Sequence, residues 1–385
     1  MSTAKTPSRY EKLLALAGLW AVAVPKPVLD VVGQTPEYWP ANRIAGATIA
    51  LLALALTLLP PLLLGGLFAL KKDRGFGVTG AAFSAVFAAL LALVLFGSLS
   101  RVFGKHVPLL LLSLVASALM AALYWRFAKL RIFFSLYSVM ALLVPLAFLL
   151  FSPTRSLLTR AEPAEETLAG RVELRAPLVV VIFDELNTPS LLSPEGHIDA
   201  RLFPNFHRLA QTSTWYQNAT TNYGGTEKSV PSLLTGKLQD GAGAGSSYQQ
   251  NPLSLFTLFS APDGMLAVEP VTHLCPAELC GEPPKTLAEA LRQIIPDFWL
   301  IYQNVMVPTR FASRIRPIPQ RFRDLAAEAS QEGAAPEIAD ASATIDRLSQ
   351  WLRQGHDQSL IFLHFGVPHA PYLLNGDGTQ YSLAG

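Results

Sequence analysis

Three short polar segments in the C-terminal half of the chain hold side chains that can do chemistry. They are Asp184-Glu185, residues 224–236 around Thr226, and residues 364–372 with the histidines His364 and His369. Carboxylates are hard oxygen ligands for divalent cations, and a threonine hydroxyl becomes a nucleophile when a base or a metal activates it. Each segment alone also fits an ordinary role: a carboxylate in loop hydrogen bonds, a threonine as a helix cap, or a histidine on a surface loop.

Two apolar runs lead into these segments and predict the strands that position them. Residues 178–183 are a continuous apolar run that ends at Asp184, and residues 360–363 are a second run that ends at His364. Such runs are typical of strands covered on both faces of an α/β sheet, whose carboxyl ends carry the chemistry. Helical spacing between the two runs predicts helices at 203–211, 226–234, 287–295 and 339–353. The alternation predicts an α/β domain.

The order and wording of these segments resemble the sulfatase-like members of the alkaline phosphatase superfamily. That family's pattern is an apolar strand ending in an acidic metal ligand, then a helix opened by Pro-Asn, then a nucleophile shortly before Leu-Leu-Thr-Gly. The chain shows the same order in residues 180–185, in 203–210 and in 226–236, and residues 361–372 resemble the segment that holds a histidine in such enzymes. The resemblance covers Leu178 to about Leu374 and implies a three-layer α/β fold.

The resemblance also implies roles for individual residues, with Thr226 as the nucleophile. The implied metal ligands are Asp184, Glu185 and Thr226. The implied substrate-binding residues are Lys228, His364 and His369. A divalent metal, Zn²⁺ or Mn²⁺ with Ca²⁺ or Mg²⁺ as alternatives, would lower the pKa of the hydroxyl. The glycines before Thr226 would let an anionic group approach the helix N-terminus, and Lys228 is otherwise a solvated lysine.

The nucleophile position differs from that of true sulfatases, which carry Cys or Ser in a Cys/Ser-x-Pro-x-Arg setting. Here Thr226 takes that position, Lys228 stands for the proline and Val230 for the arginine. Threonine followed by Ser229-Val-Pro231 resembles instead the membrane-anchored phosphoethanolamine and phosphoglycerol transferases. This implies action on phosphate or sulfate esters of envelope lipids or glycans, with sulfuric-ester or phosphodiester hydrolysis as the alternative.

The N-terminal part of the chain has a different composition. Hydrophobic residues make up 51% of the chain and charged ones 15%, and Asp73 is the only acidic residue between Arg43 and Arg160. Long apolar segments predict a transmembrane α-helical bundle of about five helices, at 13–24, 44–70, 78–99, 107–125 and 132–151. The first is short and follows basic residues, so it is a retained helix or a signal peptide, and we favour the retained helix. No ionisable residue lies at the centre of a span, which argues against a transporter.

Basic clusters predict which side of the membrane each part faces. They are Lys71, Lys72 and Arg74, and, two spans later, Arg126, Lys129 and Arg131. The positive-inside rule places both clusters in the cytoplasm. The predicted organisation is therefore an anchor at 1–152 in the cell membrane, a linker at 153–176 and an extracytoplasmic α/β domain at 177–385. Expected partners are the lipid bilayer and an anionic lipid or envelope glycan, whereas a net charge of +2 gives no argument for nucleic acid.

The only two cysteines, Cys275 and Cys280, lie close together in a loop-like stretch of the predicted domain. In an exported domain, a disulfide between them is favoured over two free thiols. A lone C-x4-C spacing is weak support for a metal site.

The predicted domain lacks one segment that the resemblance leads us to expect. Family members complete their metal site with a later Asp-His or Asp-Asn segment after another strand, and no such segment follows His369. We therefore expect a C-terminally incomplete domain with an incomplete metal site. Three explanations stay open: a truncated product, a pseudoenzyme with a binding role, or a site completed by a second polypeptide.

Overall fold

The computed structural model describes residues 6–70, 78–158, 172–240, 245–281, 284–318, 335–369 and residue 379. These residues form two compact units. The first contains the described parts of Met1–Thr159 and Lys285–Gln320, and the second contains those of Arg160–Pro284 and Ser330–Gly385. The predictions for Lys71, Lys72 and Arg74, for most of the linker and for Tyr372 lie outside the described residues.

The first unit is a bundle of apolar helices. Among the residues that the structure describes, five stretches are long and apolar enough to cross a membrane: Arg9–Gln34, Gly46–Gly65, Val78–Phe103, Val107–Arg126 and Ala128–Phe151. They support a membrane protein and match the predicted spans in number and order. Their helices are α1 (Arg9–Ala23), α2 (Pro25–Gln34), the short α3 (Tyr38–Ala41), α4 (Gly46–Leu70), α5 (Val78–Phe103), α6 (Val107–Arg126), α7 (Ala128–Tyr137) and α8 (Met140–Phe151). The first span is longer than predicted and is divided at Pro25, which has no backbone N–H to donate.

Helix α1 lies at the centre of the bundle, in contact with α4, α5, α7 and α8. Its Ala15, Leu16 and Leu19 are at most 1% exposed and pack into a core with aromatic residues of α5, α6 and α7. At Gly18 a Cβ atom would collide with the backbone carbonyl of Tyr137, so α1 and α7 approach closely only because this residue is glycine. Helix α1 therefore supplies part of the buried core of this unit.

The basic connection predicted around Arg126, Lys129 and Arg131 is shorter in the structure. Helix α6 ends at Arg126 and α7 begins two residues later, so Phe127 alone joins them and the other two residues are helical. The Arg131 side chain is buried, and its Nε lies 3.5 Å from Glu11 Oε1. A buried cation requires a partner, so this pair ties α7 to the start of α1.

The second unit combines parallel strands with helices. Strands β2 (Leu178–Phe183), β5 (Leu360–Phe365) and β4 (Met265–Val268) form one sheet in the order β2-β5-β4, and β1 (Val172–Glu173) pairs with β3 (Phe259–Ser260). The helices are α9 (Thr188–Leu191), α10 (Pro204–Thr212), α11 (Thr226–Thr235), α12 (Leu255–Leu258), α13 (Ala277–Cys280) and α15 (Ala335–Arg353). A disulfide joins Cys275 to Cys280. Both predicted strands and three of the predicted helices, now α10, α11 and α15, are confirmed to within a few residues.

The two predicted strands differ in how well they are covered. Every residue of β5 is buried, because this strand has a neighbour on each side and packs against α15. In β2 burial alternates, and Val179 and Val181 are 50% and 43% exposed. The prediction that β2 is covered on both faces is therefore wrong for the part of the chain that the structure describes. An apolar run predicts a strand, but it carries no information about the elements that pack on each face.

A later segment, residues 285–318, groups with the N-terminal helices, although the predicted boundaries include it in the α/β domain. Its main element is α14 (Leu287–Met306), which packs on α2 and is followed by a 3-10 turn at Thr309–Arg314. Asp297 in α14 accepts a 2.8 Å hydrogen bond from the hydroxyl of Tyr38 in α3, and both side chains are 1% exposed. The first unit is thus built from two parts of the sequence that lie far apart.

We expect Gly18→Ala to destabilise the bundle, because the added methyl group would collide with the backbone at Tyr137, which cannot move aside as a flexible side chain could. Overpacking of this kind costs about 1–3 kcal/mol. The matched control is Gly97→Ala in α5, where the new Cβ would lie 3.4 Å from the flexible end of Met306. The thermal unfolding temperature of the full chain in detergent should be clearly lower for Gly18→Ala and nearly unchanged for Gly97→Ala. Equal stability of the two variants would contradict close packing of α1 on α7.

We expect Tyr38→Phe to weaken the attachment of α14, because it removes a donor from the buried carboxylate of Asp297. Leaving a buried acceptor short of a donor costs about 1–3 kcal/mol. The control is Tyr302→Phe, which removes a hydroxyl that donates to Ala23 O from a half-buried side chain. Limited proteolysis at residues 285–318 should accelerate for Tyr38→Phe more than for Tyr302→Phe. The reverse order would count against this role for Tyr38.

Candidate active site

Parallel pairing brings two distant segments to one edge of the sheet. Ile182 of β2 pairs with His364 of β5, Phe183 pairs with Phe365, and the N–H of Asp184 donates to the carbonyl of Phe365 at 3.0 Å. The two strands therefore end at the same level. Nε2 of His364 lies 3.6 Å from Oδ2 of Asp184, although the two residues are far apart in the sequence.

Glu185 has a backbone conformation that few residues adopt. Its φ is 59°, in the left-handed region, immediately after the end of the strand. The chain turns sharply here, and the two adjacent carboxylates have different neighbours. Oε1 of Glu185 lies 3.4 Å from Nε2 of His369, whereas Asp184 is near His364. Backbone strain of this kind is concentrated at functional sites.

Thr226 reaches the same edge at the first turn of α11. Gly225 is the N-cap of this helix, so the alternative role of Thr226 as a cap is not what the structure has. The Thr226 hydroxyl donates instead to Asp184, at 3.2 Å from Oδ1 and 3.5 Å from Oδ2. The free N–H groups and the dipole at this helix end favour an anion close to the hydroxyl.

His364 is the most deeply buried member of the group. Its side chain has no exposed surface, and neither ring nitrogen makes a hydrogen bond with the described residues. The ring also lines a cavity of about 190 Å³ together with Asp340, Thr344 and Arg347, which belong to α15. Buried polar groups usually have partners, so this imidazole is available to orient Asp184 or to contact a bound ligand.

The structure brings most of the predicted site residues together, and one lies apart. At the edge of the sheet are Asp184, Glu185, Thr226, His364 and His369. The side chain of Lys228 is exposed, and its Nζ lies 5.8 Å from the centre of the Tyr223 ring, a cation–π distance. Tyr223 was not among the predicted site residues, and its position directly before the two glycines is the signal that could have identified it.

Asp184 favours its ionised form. Burial has the largest influence and raises the pKa of this carboxyl, but the nearby imidazole of His364, with further contributions from His369 and from the Thr226 hydrogen bond, outweighs it. The net pKa therefore lies below the ordinary value of 3.8. An ionised Asp184 accepts the hydrogen bond of the Thr226 hydroxyl and thereby orients this oxygen.

The donor atoms at this edge are only part of a metal site. Two carboxylates and a hydroxyl are the kind of oxygen donors that hard divalent cations take. Among the residues that the structure describes, however, no group of three or more His, Cys, Asp or Glu side chains is arranged to hold a metal ion. A complete metal site does not fit these residues, and we assign no chemical step to a metal.

No family model, curated protein or solved structure matches the chain. A function for the chain therefore has to be argued from the geometry of this edge and from its residue types.

We expect Asp184→Asn to reduce the loss of stability in acid. Because the folded-state pKa of Asp184 is lowered, its ionised form contributes stability above the unfolded-state value, and this contribution is lost as pH falls through the folded-state pKa. The thermal unfolding temperature of the full chain, measured with chelator present, should therefore decrease less steeply below about pH 4 in this variant than in the wild type. The control is Asp346→Asn, an exposed carboxylate of α15, which should keep the wild-type dependence. Identical acid dependence in the two variants would refute the assigned shift.

Proposed function

We propose that the second unit is the extracytoplasmic catalytic domain of a membrane-anchored, sulfatase-like enzyme that acts on phosphate or sulfate esters through Thr226. The observation that supports this most strongly is the hydrogen bond from the Thr226 hydroxyl to Asp184 at the start of α11, on the carboxyl edge of a parallel sheet. A hydroxyl placed at a helix N-terminus faces the position that an anionic ester would take. Gly224 leaves room for that ester beside the backbone, because no atom lies within 4 Å of the position a Cβ would take there, whereas the carboxylate of Glu227 fills the corresponding space at Gly225.

The neighbouring side chains have complementary roles in this proposal. Oγ1 of Thr226 attacks the phosphorus or sulfur atom of the ester and forms a covalent ester, and its proton leaves through the hydrogen bond to Asp184. The bond to the leaving oxygen breaks, and His369 donates a proton to that oxygen. His364 orients Asp184 from the buried side. An acceptor hydroxyl or water then takes the group from Thr226 by the reverse path.

The substrate class in this proposal follows from the first unit. Five candidate spans would keep the domain beside the bilayer, where lipid headgroups and lipid-linked glycans carry phosphate esters. We therefore propose an anionic lipid or an envelope glycan as the substrate. Transfer to an acceptor is favoured over hydrolysis, since the Thr226 sequence context resembles that of transferases.

A covalent adduct on Thr226 is the expected intermediate, and its mass is the test. The full chain is incubated with mixed micelles of phosphatidylethanolamine or phosphatidylglycerol, with and without added Zn²⁺ or Mn²⁺, and its intact mass is measured. The wild type should gain the mass of the headgroup phosphate, and Thr226→Ala should not. The matched control is Thr212→Ala, whose lost hydroxyl donates to carbonyls within α10. It should form the adduct as the wild type does.

A second function, a non-catalytic domain that binds a partner, is favoured by one observation. The described residues include no three-ligand metal group. If the wild type forms no adduct under any of these conditions, the binding role is supported and the transferase proposal is lost. Release of sulfate or p-nitrophenol from aryl esters by the wild type, but not by Thr226→Ala, would identify the hydrolase alternative.

A further inference from the structure

Helix α14 has an exposed apolar stripe in addition to its buried face. Leu287, Leu291, Ile295 and Trp299 are 41%, 37%, 63% and 60% exposed. They recur at every fourth position, so they lie on one side of the helix. The helix has 20 residues and is therefore about 30 Å long, and the stripe covers more than half of that length.

Three faces follow one another around α14. Ala290, Ile294 and Ile301 are buried, and the stripe begins directly beside them. Glu289 and Arg292, which are exposed and charged, lie beyond the stripe on the remaining side. At roughly 100° per residue, apolar surface continues without interruption from the buried face across the stripe, and polar residues occupy roughly a third of the circumference. A helix with this distribution borders protein, lipid and water at once.

Hydrogen bonds at both ends of the segment fix the direction of α14. Before the helix, the N–H of Lys285 donates to the carbonyl of Arg43 at 2.9 Å, and after it the N–H of Thr309 donates to the carbonyl of Lys105 at 2.9 Å. Arg43 lies between the first and second candidate spans and Lys105 between the third and fourth, so both connections face the same side of the membrane. A helix held at both ends by these connections runs along the membrane surface, where the spans end.

Two aromatic residues lie together in the C-terminal half of α14. Trp299 stacks on Tyr302, with ring centres 6.1 Å apart and planes inclined by 16°. The Tyr302 hydroxyl donates at 3.1 Å to the carbonyl of Ala23, which lies within the first candidate span. Tryptophan and tyrosine are enriched at the headgroup level of membranes, because their rings have apolar bodies and polar tips.

Cations follow the stripe along the chain. Arg310 and Arg314 lie in the 3-10 turn and Arg316 lies just after it, and all three side chains are exposed. The turn is held beside Lys105 by the hydrogen bond from Thr309. Basic side chains at this level attract the phosphate groups of anionic lipids.

We infer that α14 is an interfacial helix whose stripe inserts into the bilayer leaflet on the side of Arg43 and Lys105. Its partner is the lipid bilayer, at the boundary between headgroups and acyl chains. Two observations favour lipid over a second protein: the two hydrogen-bonded ends hold the helix at the level where the spans end, and exposed arginines follow the stripe. The inference needs no catalytic role for Thr226, so it stands or falls independently of the proposed function.

Spin labels on two faces of α14 test this inference in the full chain. The protein is reconstituted into vesicles of phosphatidylcholine with a minor share of phosphatidylglycerol, and a nitroxide is attached to Ile295→Cys on the stripe or Arg292→Cys on the polar face. The native cysteines are joined in a disulfide and do not take the label. Collisions with oxygen report lipid, and collisions with a water-soluble nickel chelate report water. The ratio of the two should be several-fold higher at position 295 than at position 292.

Two other results would overturn the inference. Frequent collisions with the nickel chelate at position 295 would place the stripe in water, and rare collisions with both reagents would show that protein covers it. Quenching by brominated phosphatidylcholine gives an independent readout without cysteine variants. Trp299→Phe should remove a strongly quenched component of the tryptophan fluorescence, and an unchanged quenched fraction would also refute the inference.

Discussion

The parallel pairing of β2 with β5 is the contact on which the candidate site depends. Its register sets Ile182 opposite His364, and the ladder continues to the N–H of Asp184. Side chains alternate between the faces of a sheet, so a slip of one residue would turn His364 to the opposite face. Asp184 would then lose the nearby imidazole that lowers its pKa, and the Thr226 hydroxyl would donate to a carboxyl group in a different environment.

The bundle depends on a different constraint, the exclusion of water from backbone and charge. Its core is built around α1, where small residues and glycine permit close helix contacts and one carboxylate, Glu11, compensates the buried Arg131. The same unit includes α14, which is far away in the sequence and attaches through the buried pair Tyr38 and Asp297. An amphipathic helix is compatible with a soluble domain and with a membrane surface, and only its contacts distinguish the two.

Local signals account for the parts that could be predicted. The strands before Asp184 and His364, the helix that begins at Thr226, and the order of the spans all follow from runs of apolar residues, turn residues and caps. The C-terminal half of α14 was not predicted, because a proline such as Pro296 usually ends a helix. Here the helix continues through Pro296 to Met306. The buried ion pair between Arg131 and Glu11 could not be predicted either, because a basic residue near the end of a span indicates only which side of the membrane that end faces.

By itself, the sequence determined that the chain has an apolar helical part, that an α/β part follows, and which residue types stand at the ends of the strands. These properties depend on neighbours along the chain, which the sequence states directly. The tertiary structure alone decided that Asp184 contacts Thr226 and His364 and that residues 285–318 join the helical bundle. Those results depend on register and on packing between segments far apart in the chain, where small differences in contact energy choose among arrangements that local patterns permit equally.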